Sequence, residues 1–296
     1  MWPMEKGLFE APITALARLA DGSLVAAVNG QGLRHVDAEG KELHRLDMLE
    51  GKPLRCVTAL AEDARRQGVY FTVGTTRHDA EDWVWDLMEC NSDGLLVHWG
   101  VSDGQPQVLL RGLAYPNGLL VEDSGSLLFT QSWNHSLSRF RTGGAVEVVI
   151  PNMPGYPARI APASSGGYWL VQFAMRTQLV ELVLRDKRFK LEMMRRVEPE
   201  LWVRPALKTV GSHLEPLQFG GVKKLGIRKP WAPPRSYGLV LRLDEEYEPV
   251  ESMHSRVDGT HHGVMAAREI DGRLMVAVKG NGCLLSANVN DEGANS

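Results

Sequence analysis

The sequence is short of the features that would mark a specialised class. Its charges nearly cancel, with 33 Lys and Arg against 36 Asp and Glu for a formal net charge of −3. So small a balance gives no positive field to hold a nucleic-acid backbone. Long apolar runs are missing: stretches such as 127–129 or 168–171 fall far below the roughly 20 residues that cross a bilayer. The opening MWPMEKGLFEAP has no basic start followed by an apolar stretch of about 7 to 15 residues, so no secretory leader is read there. A cytoplasmic protein with neither membrane nor nucleic-acid partner is expected. The three cysteines, Cys56, Cys90 and Cys283, are odd in number and lack a CxxC pair, which fits reduced core thiols rather than a disulfide frame or a zinc site. No GxSxG elbow, P-loop, or GxGxxG after a strand occurs, so serine hydrolase, NTPase and dinucleotide-binding readings have no support.

What is present is ordinary globular composition, 44% hydrophobic and 23% charged over 296 residues, and an internal repeat. Strand, Gly-containing polar turn, strand, polar loop and strand recur in ITALARLADGSLVAAVNGQGLRHVD from Ile13 and in VTALAEDARRQGVYFTVGTTRHD from Val57. The pattern returns from Gly118, Arg159 and Gly263, and a further unit is read at SYGLVLRLDEEYEPVESMHS from Ser236. Asp21-Gly22, Ser124-Gly125, Gly166-Gly167 and Asp271-Gly272 are turn pairs that favour tight β-hairpins, and the flanking runs are rich in strand formers. Six units of about 49 residues predict an all-β, six-bladed β-propeller occupying 1–296 as a single domain. Its N-terminal residues are expected to close the ring against the last blade. Two segments break the rhythm. Residues 79–91 read as a short helix or long loop, with Trp83, Leu87 and Met88 at helical spacing, and about 186–235 read as an insertion between blades that begins with a basic strand or helix and whose Pro and Gly content argues for an irregular loop.

The segments GLAYPNGLLVEDSGSLLFTQS and NMPGYPARIAPASSGGYWLV resemble, in text and spacing, the PNG and PGYP strand openings of the strictosidine synthase-like branch of the senescence marker protein/gluconolactonase superfamily. The resemblance implies a small-molecule site at one end of the channel and hydrolysis of a lactone or ester. In metal-dependent members it also implies a calcium ion held by a first-blade Glu, the Asn of PNG, an Asn or Asp from a PDN motif and a late-blade Asp. Of these only Asn117 is kept; the other positions fall at Ile13, at Pro157-Ala158-Arg159, and in a 260–263 stretch with no acid. Calcium takes six to eight oxygen ligands, mostly carboxylate, so no cofactor is expected, and a calcium ion, if bound, would use Asn117. The residue matching the synthase's catalytic Glu is Met265, a thioether that cannot accept a proton.

Read through the repeat, the mouth is lined at strand openings by Asn117, Arg159 and one of His261 or His262. The loops after second strands add Asn29, Thr75, Thr76, Ser132, Trp133, Phe173, Arg176 and Lys279. Arg159, Arg176 and Lys279 are cations suited to a carboxylate or phosphate, so the expected partner is a small, anionic substrate. His261 and His262 are the candidate bases, because imidazole titrates near neutrality; neighbours in a strand face opposite ways, so one of the two would line the channel. His254 and Asp258 lie close enough in sequence for a His–Asp pairing. The reading is a hydrolase. The alternatives are a non-catalytic ligand-binding propeller anchored by Arg159, and a metal-independent biosynthetic enzyme with a His base.

Overall fold

A computed structural model of the chain describes residues 9, 11–66, 68–101, 104–209, 215–216, 223–224, 227–228, 235–256 and 259–289. It divides into two compact units, Met1–Val148 and Val149–Ser296. Both are built from four-stranded or three-stranded antiparallel meanders, and the architecture is that of an all-β propeller.

The first unit holds three sheets. The first runs β1 (Ile13–Arg18), β2 (Leu24–Val28), β3 (Gly32–Val36), β4 (Glu42–Leu46). The second runs β5 (Val57–Asp63), β6 (Gly68–Val73), β7 (Gly94–Gly100), β8 (Pro106–Leu113), with α1 (Trp83–Glu89) in the connection from β6 to β7. The third runs β9 (Pro116–Val121), β10 (Leu127–Gln131), β11 (Ser136–Phe140), β12 (Val146–Ile150), its last strand crossing the boundary between units. Alternating apolar residues fill the spaces between sheets. Val25, Ala27, Leu33, Val69, Phe71, Val97 and Trp99 form the core between the first and second, and Leu96, Leu119, Leu127, Phe129 and Phe140 belong to the core between the second and third.

The second unit holds two sheets. One runs β13 (Gly155–Pro162), β14 (Tyr168–Met175), β15 (Leu239–Leu243), β16 (Pro249–His254), and the other β17 (Val264–Ile270), β18 (Arg273–Val278), β19 (Cys283–Asn288). The turn Asp271-Gly272 has φ of 50° and 74° and joins the directly paired Ile270 and Arg273, the two-residue, left-handed geometry expected of Asp-Gly. At Gly167, with φ of 68°, a Cβ would lie 2.2 Å from the Leu243 carbonyl, so only glycine lets β15 approach the turn.

These sheets correct the blade count: the described residues form five blades, not six. The strands after Ser236 do not found a blade of their own. They pair outward from β14, Leu170 with Leu241 and Leu239 with His254, and complete the blade begun at Gly155. The insertion therefore lies inside a blade, between its second and third strands; it opens ahead of residue 186 with α2 (Gln178–Arg185), and the basic stretch that follows is the helix α3 (Lys187–Arg196). Thr177 accepts the Val180 amide and Asp186 the Phe189 amide, capping the two helices. Most of 210–234 and residues 1–8, on which ring closure was expected to depend, lie outside the described residues. Of the three thiols only Cys56 is buried; Cys90 and Cys283 are exposed, against the expectation of core thiols. No described helix is long and apolar enough to cross a membrane.

Within the second unit, Glu269 of β17 ties the two blades together. It accepts the Trp169 indole N–H at 2.6 Å and the Ser164 amide at 3.0 Å, while Arg242 lies 5.5 Å from the Trp169 ring centre. Some desolvation raises the Glu269 pKa, but those hydrogen bonds outweigh it and hold the carboxyl below its usual range. Glu269→Ala should cost about 1–3 kcal/mol, the range for leaving a buried donor unmatched, measured by urea unfolding. Because its folded pKa is depressed, the contribution is full above the ordinary carboxylate pKa and is lost as pH falls through the folded value; Glu269→Gln should flatten that acid loss.

Candidate functional site

The innermost strand of a blade is a sheet edge whose carbonyls its own sheet does not fully use, and in the first two blades the second residue of that strand donates to such a carbonyl. In the first blade Thr14 donates its hydroxyl to the Val57 carbonyl of the next inner strand at 2.6 Å. In the second, Thr58 does the same to Pro116 at 2.5 Å and also meets the Thr72 hydroxyl at 2.9 Å. Asn117 holds the same position in the third blade, 4% exposed, its amide donating to Ser132 Oγ at 3.3 Å.

Beside Asn117 stands an aromatic wall. Trp133 stacks on Tyr115 with ring centres 4.4 Å apart and tilts against Trp83 at 6.1 Å. Tyr115 has φ of 53° and its hydroxyl accepts the Cys56 thiol at 3.8 Å; burial pushes that thiol up to about 11, which keeps it protonated and inert. Behind the wall is a carboxylate that the sequence reading did not single out. Asp86, on the buried face of α1 with Val84, Leu87 and Met88, is 1% exposed. It accepts the Trp133 indole N–H at 2.7 Å and the Asn91 amide at 2.9 Å, so a buried charge is held by two aimed donors rather than by a cation. The same Asn91 nitrogen reaches Glu89 at 2.9 Å, and Glu89 meets His78 Nε2 at 2.8 Å. Partial desolvation raises the Glu89 pKa, but the His78 and Asn91 hydrogen bonds more than offset it and hold the carboxyl below its usual range.

The other first-unit positions surround this group. Thr75 is fully buried, accepts the Arg77 amide at 3.2 Å and lines a cleft of about 310 Å³ with Leu49, Arg55, Asp93 and Arg111. Thr76 donates to Asp93 at 2.6 Å. Asn29, in the loop after β2, accepts the Ala80 amide at 3.2 Å and so pins the loop that follows β6.

In the second unit, Arg159 is half-buried on β13, and Phe173 is buried 5.7 Å from the Tyr156 ring. Burial drives the Tyr156 hydroxyl well above its usual range. Arg176 is engaged by both oxygens of Glu181 at 3.2 and 3.3 Å, and the pair borders a groove with Asn152, Thr177 and Arg185. Lys279 is exposed. Of the two histidines, His262 is fully buried with both ring nitrogens occupied, Nδ1 by Ser236 Oγ at 2.8 Å and Nε2 by the Arg256 carbonyl at 2.5 Å. A carbonyl only accepts, so Nε2 carries the proton and Nδ1 takes the Ser236 hydroxyl; this ring is a structural latch. His261, with φ of 61°, is half-buried and lines a small cavity with His254 and Arg256. His254 is bonded to Tyr237 at 2.9 Å and Ser252 at 3.1 Å; Asp258 lies outside the described residues.

The residues do not fit a calcium ion. Of the positions at which the resemblance places carboxylates, Ile13 is exposed and apolar and Arg159 is a cation, and the nearby Asp86 already uses its oxygens on Asn91 and Trp133. No group of three or more His, Cys, Asp or Glu among the described residues could hold a metal.

The sheets define an all-β propeller, with this cluster at the strand ends of its second and third blades. Residues 59–144, which carry most of the cluster, match the sequence model of the strictosidine synthase family. The adipocyte plasma membrane-associated protein of Danio rerio is 29% identical over 165 residues, which is 53% of this chain and 40% of that protein. Strictosidine synthase-like protein 13 of Arabidopsis thaliana is 28% identical over 262 residues, 86% of this chain and 58% of that one. The chain thus spans about two fifths of the length of the adipocyte proteins it matches. Among solved structures, a gluconolactonase from Xanthomonas campestris superposes with a TM-score of 0.55 at 14% identity, covering 93% of this chain and 71% of that one. Regucalcin, a calcium-binding protein from Agrobacterium tumefaciens, gives 0.52 at 15%, covering 92% and 70%; both are likenesses of fold. The matches support the resemblance drawn from the PNG and PGYP motifs, to the strictosidine synthase-like branch of the senescence marker protein/gluconolactonase superfamily.

Asp86→Ala should leave the Trp133 and Asn91 donors without their acceptor and cost roughly 3 kcal/mol, two hydrogen bonds to a charged group. Thermal unfolding monitored by tryptophan fluorescence checks this, and an unchanged midpoint would contradict the role given to Asp86.

Proposed function

We propose that the chain is a hydrolase of small molecules, of the gluconolactonase and strictosidine synthase-like type, acting on a lactone or ester that carries an anionic group. The observation that supports this is the Trp133–Tyr115 wall set beside the buried polar groups Asn117 and Ser132. An apolar face with a few fixed polar atoms suits a compact ring bearing a carbonyl, the arrangement typical of small-ligand sites. Hydrolysis needs a base, and His78 and His261 are half-buried histidines. No step runs through calcium, whose ligand set this chain does not fit.

The competing reading, a binding propeller without catalysis, shares the wall and differs in turnover. A panel of lactones and carboxylate-bearing esters, followed by proton release and product analysis with and without a chelator, should show turnover that the chelator leaves unchanged. Trp133→Phe keeps an aromatic surface but loses the Asp86 donor, and should raise KM about tenfold through a misplaced wall, about 1.4 kcal/mol. Saturable binding with no product from any compound would instead favour the binding propeller, and neither binding nor product would overturn the small-molecule site.

A further inference from the structure

The chain of hydrogen bonds behind the aromatic wall ends on a histidine that the sequence reading passed over. His78 follows β6 in the loop that leads to α1, and its Nε2 lies 2.8 Å from Glu89 Oε2. Glu89 is fixed in turn by Asn91, which also holds Asp86, the carboxylate that carries Trp133. A second contact ties the loop to the mouth: the Ala80 amide donates to Asn29 of the first blade at 3.2 Å.

An ionised carboxylate accepts and does not donate, so the bond to Glu89 places the imidazole proton on Nε2. Nδ1 then carries the lone pair, and it has no hydrogen-bond partner among the described residues. The His78 side chain is 22% exposed, open enough to receive water, and Glu89, 35% exposed, is held by both His78 and Asn91. This is the arrangement of a base oriented by a carboxylate. It differs from His262, which is fully buried with both nitrogens engaged.

Resting on the hydrolase reading above, we propose that His78 is the general base of the reaction and Glu89 its positioning residue. His78 Nδ1 takes a proton from a water molecule as the water oxygen bonds to the acyl carbon of the lactone or ester. The acyl carbon–alkoxy oxygen bond then breaks, and the imidazolium returns the proton to the departing alkoxide. A lactone yields one hydroxy acid, and an ester yields an acid and an alcohol. The charged groups facing His78 are Glu89 from α1, with Arg77 and Asp79 on its own loop; Arg77 is paired with Asp93 at 3.2 Å and Asp79 with Arg55 at 3.8 Å.

The test uses the full chain and a lactone or ester that the wild type hydrolyses. His78→Ala should lower kcat about 100-fold, the low end for general-base catalysis, with KM held within a few-fold, and added imidazole should restore part of the rate. Glu89→Gln should lower kcat about tenfold with little effect on KM. His78→Gln, near in size and polar, serves if the alanine variant unfolds. Full activity in a folded His78 variant, or a collapse in His261→Ala with His78→Ala unaffected, would overturn the assignment while the hydrolase reading stood. A wild type that turns over no compound in the panel would instead remove the hydrolase reading on which it rests.

Discussion

The constraint on which the first unit depends is that an inner strand is a sheet edge, with carbonyls that must be satisfied without a further strand to do it. Thr14 and Thr58 answer it with hydroxyls that bond the inner strand of the next blade. Such a bond is short-range and directional, so it sets the spacing and register of neighbouring blades as well as satisfying an acceptor. It also removes those two positions from ligand binding. Asn117, at the equivalent place in the third blade, uses its amide on Ser132 within its own blade, and this is where the pattern of stitching gives way to a polar surface beside the aromatic wall.

The wall raises a second accounting problem. Stacking Trp133 on Tyr115 buries an indole N–H, and the α1 insertion meets it with Asp86. A lone buried carboxylate is costly, so Asn91 supplies the second donor, and the same amide extends the network to Glu89 and His78. The first links answer burial, and the last reaches the half-buried His78 through the exposed Glu89. The outcome is a run of oriented polar groups from the interior of the third blade to the rim, in place of the carboxylate set that a calcium ion would need.

Much of the fold was legible because hairpins are local. Asp271-Gly272 and Gly166-Gly167 carry their backbone geometry in their residue types, and the period-2 apolar runs beside them can only be strands. The blade number was not legible, because GLVLRLD and PVESMH read as a hairpin whether they open a blade or finish one; their pairing to β14 is a contact across more than sixty residues that periodicity does not record. The site divided along the same line. Asn117 and Trp133 were reachable through the repeat, and the apolar spacing of 83–88 announced α1. Asp86 was hidden because one acid in DAEDWVWDLMEC looks like any solvated charge, although its position between Val84, Leu87 and Met88 on a helical face was a signal that it faces inward. His78 and Glu89 are eleven positions apart and meet only because α1 turns the chain back. The adjacent His261 and His262 drew attention by their pairing, and only the contacts of His262 show it to be a latch.

The account turns on the end of the second and third blades being a small-molecule site. A crystal structure of the protein soaked with a slowly hydrolysed lactone tests this directly. Density for the ring against Trp133, with its carbonyl carbon within a water's reach of His78 Nδ1, is the result predicted here; a well-ordered ligand bound away from Trp133 and Asn117 would contradict it.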